Sequence, residues 1–160
     1  MNYRNYLGPD NPTVTIHVKN YGSITLELFY QVAPNTVNNF IYHIQNNYYP
    51  GLIFHRIIPG FMIQGGGGKK MRPIKGEFEM NGFQNPLHHL RGVISMARTS
   101  DPNSQTTQFF IMHQTAPHLN RQYAAFGGLI EGFDVLDRIA TVACDQSDRP
   151  KTDVVIESVS

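Results

Sequence analysis

The feature of this sequence that most restricts its fold is a series of short apolar runs with a period of two. Apolar and polar residues alternate over 14–18, and the alternation returns over 24–28 beyond a turn at 20–23. Alternation on both sides of a glycine-containing turn is typical of an antiparallel hairpin. Further short runs bounded by turn residues predict strands at 52–58, 61–64, 92–97, 108–113, 124–130 and 153–159.

Helical periodicity is confined to two segments. Apolar residues at i, i+3, i+4 and i+7 run through 37–44 after Pro34, which suits the first turn of a helix. A shorter stripe lies at 135–139. Two helices are too few to connect a parallel sheet. These elements predict a mostly β protein, a closed eight-stranded antiparallel β-barrel capped by two α-helices.

The length of the chain, 160 residues, fits a single domain. We expect this domain at 13–160, preceded by a short flexible N-terminal lead-in at 1–12 that is polar and interrupted by glycine and proline. Nothing in the sequence resembles a subunit interface, so a monomer is expected.

Composition excludes several classes of function. Hydrophobic residues make up 41% of the chain and charged residues 16%, and the net charge is +1 with scattered lysine and arginine. This balance gives no basis for binding nucleic acid or a membrane. Cys144 is the only cysteine, which excludes an internal disulfide and a cysteine-based zinc site. The N-terminus lacks the apolar stretch of a secretory signal, so a cytoplasmic location is expected.

Familiar catalytic motifs do not fit the chain. The glycine run at 65–68 lacks the Walker pattern, because Ile63 and Lys70 stand where a glycine and a hydroxyl residue are needed. His88 and His89 have no third ligand at metal spacing, so we interpret them as surface histidines and expect no metal. No Gly-x-Ser-x-Gly sequence occurs, which argues against a serine hydrolase of the nucleophile-elbow type.

One arginine stands out within an apolar strand pair. Arg56 shares a strand face with Phe54 and Ile58, although arginine is rarely buried without a partner. The residues alone leave two interpretations open: a structural arginine paired with a carboxylate at the barrel rim, or a functional cation. The connections at 65–91 and 98–107 are candidate rims of a site, because long irregular segments in compact domains are usually functional or disordered.

Four segments of the chain resemble the signatures of the cyclophilins, in the same order as in that family. The segments that carry the resemblance are 54–66, 92–97, 108–111 and 126–127. The resemblance extends from about Val14 to Val159, and the residues at 73–78 and 96–99 are closest to the compact bacterial members.

This resemblance implies the capped barrel fold and peptidyl-prolyl cis/trans isomerase activity without a cofactor. The implied substrates are proline-containing peptides and unfolded or folding proteins. The resemblance assigns the catalytic role to Arg56, Gln64 and Phe61. It assigns substrate binding, with Arg98 among the residues that hold the substrate backbone, to Met62, Ala97, Arg98, Gln108, Phe110, His118, Leu119 and Tyr123.

Two positions depart from the pattern of the best-studied eukaryotic members. His118 stands where those members carry a tryptophan whose indole donates a hydrogen bond to cyclosporin, and Tyr123 stands where they carry a histidine. The first departure predicts weak cyclosporin binding. The second leaves an aromatic wall in place.

Two other functions remain open at this point. The same groove could serve a proline-peptide binding module or holdase chaperone without significant turnover. A barrel that carries a small apolar ligand would need an empty interior, whereas the inward valine, isoleucine, leucine and phenylalanine residues are sufficient to fill a small barrel.

Overall fold

The computed structural model describes residues 1–160 and confirms a mostly β fold with eight strands and two helices. The strands are β1 (Thr13–Val18), β2 (Gly22–Leu28), β3 (Arg56–Ile58), β4 (Met62–Gly65), β5 (Val93–Met96), β6 (Phe109–Met112), β7 (Ala125–Glu131) and β8 (Ile156–Val159). The helices are α1 (Pro34–Gln45) and α2 (Phe133–Ala140). Neither helix has the length and apolarity that crossing a membrane requires.

The strands form one antiparallel sheet in the order β3-β4-β6-β5-β7-β2-β1-β8, and the expected closure of the barrel is wrong. No ladder joins β3 to β8, because the outer edge of β3 is used elsewhere: the Ile57 amide donates to the carbonyl of Asp148 at 2.8 Å. The segment before β3 spans the gap instead. The Phe54 amide donates to Val154 at 3.0 Å, and the Ile156 amide donates to Leu52 at 2.7 Å. The sheet is therefore a half-barrel, and its gap is spanned by the isolated antiparallel bridge of Ile53 with Val155.

The interior of this half-barrel is filled with side chains. Alternate residues of β1 and β2 point inward, and α1 adds Phe40, whose ring packs edge-on against Phe109 at 5.5 Å and Phe126 at 5.3 Å. These rings belong to one cluster of 36 buried apolar residues. A barrel that carries an apolar ligand needs interior space, and this packing argues against that function.

The N-terminal segment, which we expected to be a flexible lead-in, packs against the sheet. Tyr3 begins a 3-10 turn (Tyr3–Tyr6), is only 2% exposed, and donates its hydroxyl to the Leu129 carbonyl at 2.9 Å. Its ring lies on Gly128 of β7, where any Cβ would collide with it. This docking depends on a glycine more than 120 residues away, and local sequence patterns did not predict it.

The long connection between β4 and β5 is fastened to the start of α1. Ala33, the residue before this helix, offers no side-chain oxygen to the free amides of the first turn. Glu77 supplies it from 41 residues away: its carboxylate accepts the Thr36 amide at 2.6 Å, the Thr36 hydroxyl at 2.7 Å and the Asn35 amide at 3.3 Å. A carboxylate is also favoured there by the helix dipole.

Removing this cap should destabilise the protein. Because Glu77 is only 5% exposed and satisfies two backbone donors, we expect Glu77→Ala to lower the free energy of unfolding by about 2 kcal/mol, the upper range for helix caps. Urea denaturation measures this change. Glu157→Ala, an exposed position in β8, is the matched control and should change stability by less than about 0.5 kcal/mol. Equal effects of the two variants would contradict the capping role.

Candidate active site

Strand register decides which side chains of β3, β4, β6 and β5 share the outer face of the sheet. Arg56 pairs with Gln64, Gln64 with Phe110, and Phe110 with Ser95. Side chains of directly paired residues lie on the same face of an antiparallel sheet. The adjacent row, fully buried on the inner face, consists of Ile57, Ile63, Ile111 and Ile94.

An open cavity lies on this outer face. It brings together nine of the eleven predicted site residues: Arg56, Phe61, Met62, Gln64, Ala97, Arg98, Phe110, Leu119 and Tyr123. The other two predicted residues lie beside it. Gln108 lines an adjoining groove and accepts a hydrogen bond from the Gln64 amide at 3.1 Å, while the His118 ring lies 5.6 Å from that of Phe61.

The cation at the mouth of the cavity has no carboxylate partner. Arg56 is exposed, and its guanidinium donates to the Gln64 side-chain oxygen at 3.3 Å, which the amide of Gln64 in turn links to Gln108. The four ion pairs of the protein involve other residues. The interpretation of Arg56 as a structural arginine paired with a carboxylate is therefore wrong, and several of its N–H groups face solvent.

The floor and walls of the cavity are apolar. Met62, Phe110 and Leu119 are nearly inaccessible to solvent, and the Tyr123 ring stands edge-on to Phe110 at 5.7 Å and 86°. No carboxylate lines the cavity, whereas Arg56 and Arg98 both do. The arrangement offers a small apolar slot beside a cation, and no nucleophile or acid-base pair.

The second cation, Arg98, is largely occupied within the protein. Its Nε and Nη2 donate to the Gln122 carbonyl at 3.0 and 2.8 Å, and its Nη1 donates to the Thr99 carbonyl at 2.9 Å. The guanidinium also lies between two aromatic rings, 4.9 Å from the centre of Phe78 and 4.7 Å from that of Tyr123. Phe78 was not among the predicted site residues, because no local pattern connects it with the cavity.

The adjoining groove is built from the two long connections that were predicted as rims. It shares Gln64, Ala97, Arg98 and Gln108 with the cavity or its edge. Its remaining lining, mostly polar, consists of Lys70, Met71, Pro73, Thr99, Asp101, Asn103, Ser104 and Thr106. Because Gln64, Ala97 and Arg98 line both depressions, the groove and the cavity adjoin on the outer face of the sheet.

A buried histidine supports the cavity wall from behind. His89 was expected at the surface, and this expectation is wrong: it is 1% exposed and stacks on Phe110, with ring centres 6.0 Å apart and planes at 16°. Only its neighbour His88 is exposed. The difference arises because His89 finds polar partners inside, Asn120 at 3.2 Å and Ser95 at 2.9 Å.

Its two partners determine the tautomer of His89. The side-chain oxygen of Asn120 already accepts the His89 backbone amide at 2.7 Å, so it can only accept from the ring, and Nδ1 carries the proton. Nε2 then accepts the hydroxyl of Ser95. Burial lowers the pKa of His89 to about 4, with the Asn120 hydrogen bond acting in the opposite direction.

This pKa predicts a specific dependence of stability on pH. The unfolded chain takes up a proton at His89 near pH 6.5 and the folded protein only near pH 4, so stability is lost as the pH falls through this window. At about 1.4 kcal/mol per pKa unit, the loss is about 3 kcal/mol. Urea denaturation between pH 4 and 8 measures it. His89→Gln should be less stable at pH 8 but show a shallower decline; an unchanged slope would contradict the assignment.

Comparison with known proteins gives a consistent result. Residues 13–160 match the family described as cyclophilin type peptidyl-prolyl cis-trans isomerase/CLD. The chain is 41% identical over 162 residues to the peptidyl-prolyl cis-trans isomerase B of Escherichia coli, with 92% of this chain and 98% of that protein covered. Some relatives are much longer than this chain. The chain spans 38% of the length of one relative from Streptococcus pyogenes. It is 38% identical, over 88% of its own length, to the peptidyl-prolyl cis-trans isomerase-like 2 of Gibberella zeae, of which it spans 25%.

Solved structures agree with the sequence relatives. A crystal structure of a Cryptosporidium parvum cyclophilin type peptidyl-prolyl cis-trans isomerase superposes with a TM-score of 0.84 at 34% identity, covering 93% of this chain and 96% of that one. A second structure of the same protein, in the presence of the dipeptide Ala-Pro, gives a TM-score of 0.83 at 34% identity, covering 92% and 97%. The family match, the relatives and the shared half-barrel together establish that this chain belongs to the cyclophilin-type peptidyl-prolyl cis-trans isomerases.

Proposed function

We propose that this protein accelerates rotation about X-Pro bonds by stabilising the twisted amide electrostatically, with Arg56 as the main catalytic group. The observation that carries the proposal is a guanidinium without a carboxylate partner at the mouth of a small apolar cavity. Arg56, Gln64 and Phe61 are the catalytic residues in this proposal, and the remaining cavity residues bind the substrate.

The reaction itself explains why the site needs neither a nucleophile nor a metal. Rotation about a peptide bond is opposed by a barrier of about 18–20 kcal/mol, which arises from delocalisation of the nitrogen lone pair. The cis and trans X-Pro forms differ by only about 0.5–1 kcal/mol. A catalyst therefore has to bind the twisted amide better than either planar form, and no covalent bond has to break.

Arg56 has the properties that this differential binding requires. In the twisted amide the lone pair is localised on the proline nitrogen, which becomes a hydrogen-bond acceptor. A guanidinium donates rigid N–H groups and stays charged at any physiological pH. Beside apolar walls such a charge-assisted bond is stronger than in water. Gln64 supports this role by holding Arg56, and Gln108 holds Gln64 in turn.

The cavity fits a proline ring and the groove fits the residues that precede it. Phe61, Met62, Phe110 and Leu119 offer an apolar surface to the ring, and the polar groove offers hydrogen-bond partners to a peptide backbone. The structural relative studied with Ala-Pro supports proline-containing peptides as substrates. Unfolded and folding proteins present such segments, and they are the proposed clients.

The central test is cis/trans exchange of a short X-Pro peptide, measured by NMR exchange spectroscopy. Charged hydrogen bonds contribute about 1.5–3 kcal/mol, so Arg56→Ala should reduce kcat/KM by about tenfold to a hundredfold. Arg56→Lys keeps the charge without the rigid donor fork and should recover only part of the rate. Arg4→Ala, a surface arginine on the N-terminal turn, is the control and should keep wild-type activity.

The same experiment distinguishes the isomerase from the alternative function, a proline-peptide binding module or holdase. Saturable peptide binding by folded wild-type protein, with no acceleration of exchange, would overturn the isomerase mechanism and leave a binding module or holdase. Wild-type activity in folded Arg56→Ala would overturn the role of Arg56 alone.

Cyclosporin binding tests the proposed role of the cavity rim. The His118 ring lies tilted beside that of Phe61, at the position where tryptophan-bearing cyclophilins donate an indole N–H to the drug. We therefore expect weak inhibition of the wild type. His118→Trp restores the donor and should tighten the inhibition constant by about tenfold, the value of one net hydrogen bond. His118→Phe supplies a ring without the donor and serves as control. Tightening by both variants equally would show that ring area, and not the hydrogen bond, sets the affinity.

A further inference from the structure

The geometry points to Arg98 as a positioning residue: clamped between Phe78 and Tyr123, it holds the Tyr123 ring as one wall of the proline cavity. This inference rests on the proposed isomerase function. It gives Arg98 a role different from the direct hold on the substrate backbone that the family resemblance implied, and it adds Phe78, which does not line the cavity.

Tyr123 depends on its neighbours for its position. Its ring is only partly buried and contacts Phe110 edge-on at 5.7 Å and the Arg98 guanidinium face-on at 4.7 Å. No hydrogen bond within the protein fixes its hydroxyl. The buried His89 ring also lies edge-on to it, at 6.5 Å. The Arg98 guanidinium is therefore the one charged contact among the three that hold the ring beside the cavity.

Arg98 holds the backbone next to this ring as well. Two of its N–H groups converge on the carbonyl of Gln122, the residue directly before Tyr123. A third donates to Thr99, which leaves two of the five guanidinium N–H groups without a protein acceptor. The Arg98 guanidinium thus connects Thr99, at the start of the groove, to the segment that carries Tyr123.

Phe78 supplies the second aromatic ring that packs on the Arg98 guanidinium. It is 1% exposed, and its ring lies 4.9 Å from the Arg98 guanidinium. Gly76 leaves the space for this ring, since any Cβ there would collide with it. Glu77, the residue before Phe78, accepts hydrogen bonds from the first turn of α1. Phe78 is therefore a fixed support against which Arg98 and Tyr123 stack.

A positioning role of Arg98 and a role as a positive charge predict different effects of substitutions. If Arg98 served mainly as a positive charge for the substrate, lysine would replace it and Phe78 would be irrelevant. If Arg98 acts as a planar spacer, lysine fails, because an ammonium group can neither stack between two rings nor bond two carbonyls in one plane. Truncation of Phe78 should then weaken peptide binding, although Phe78 itself does not line the cavity.

The test is a double-mutant cycle on Phe78→Leu and Arg98→Lys. The dissociation constant of a short X-Pro peptide is measured by NMR titration, and kcat by exchange spectroscopy on the same samples. Each single variant should weaken binding about fivefold, as expected for loss of one cation–π contact, with kcat changed less than twofold. The double variant should bind no more weakly than the worse single variant, whereas independent sites would multiply to about 25-fold.

Controls separate positioning from general destabilisation. Phe29→Leu removes an equally buried ring that packs against Tyr6, away from the cavity, and should lower stability without weakening peptide binding. The ring signals of Tyr123, assigned by its own substitution to Phe, should shift in Phe78→Leu and not in Phe29→Leu. This spectroscopic readout needs neither peptide nor turnover, and the amide spectrum verifies that each variant is folded.

The outcomes are distinct. Wild-type binding by Arg98→Lys, multiplicative effects in the double variant, or unmoved Tyr123 signals in folded Phe78→Leu would each overturn the positioning role. Peptide binding without accelerated exchange in the wild type would overturn the proposed isomerase function alone, since the binding cycle and the ring signals would still decide the role of Arg98.

Discussion

The pairing register of β3, β4, β6 and β5 is the constraint on which the rest of the site depends. Side chains alternate along a strand, so a shift by one residue would exchange the two faces of the sheet. The register that buries Ile63 and Ile111 places Gln64 and Phe110 outside, side by side. Burial of each isoleucine contributes about 1.5–3 kcal/mol. The apolar core therefore enforces the geometry of the polar site, and no residue of the cavity has to maintain it alone.

The irregular connections are held by single side chains in place of regular secondary structure. Glu77 fastens one of them to α1, Arg98 fastens the other to the segment that carries Tyr123, and Phe78 joins these two attachments. The Glu77 carboxylate satisfies buried donors at the start of α1, which would otherwise lack partners. The Arg98 fork bonds carbonyls of the exposed residues Thr99 and Gln122. These attachments fix the position of the rim relative to the strands that carry the cavity.

Sequence reasoning succeeded where the signal is local and failed where it depends on distant partners. Alternation alone predicted the strands and placed Arg56 on a face of its own strand. The apolar run at 52–58 reads as one strand, but its first part bonds to Val154 and Ile156 while only its last residues pair with β4, so the closed barrel was wrong.

The burial of particular residues could not be predicted from the sequence either. Nothing in the doublet His88 and His89 distinguishes the exposed ring from the buried one, because the distinction lies in Asn120, 31 residues away. Tyr3 is ordered by a glycine of β7 that has no recognisable relation to it in the sequence. Family resemblance found the cavity residues, but it could not say which of them contact one another.

Two arginines line the same cavity, and their partners give them opposite properties. Arg98 has three N–H groups on backbone carbonyls and two aromatic rings within 5 Å of its guanidinium carbon. Arg56 has one long bond, to an amide oxygen. A carboxylate beside Arg56 would compete with the weakly basic proline nitrogen and win, because a charged acceptor binds a guanidinium more tightly than a neutral one. A neutral partner such as Gln64 orients the cation without saturating it. The absence of acidic residues from the cavity is thus as important to the proposed mechanism as the presence of the arginine.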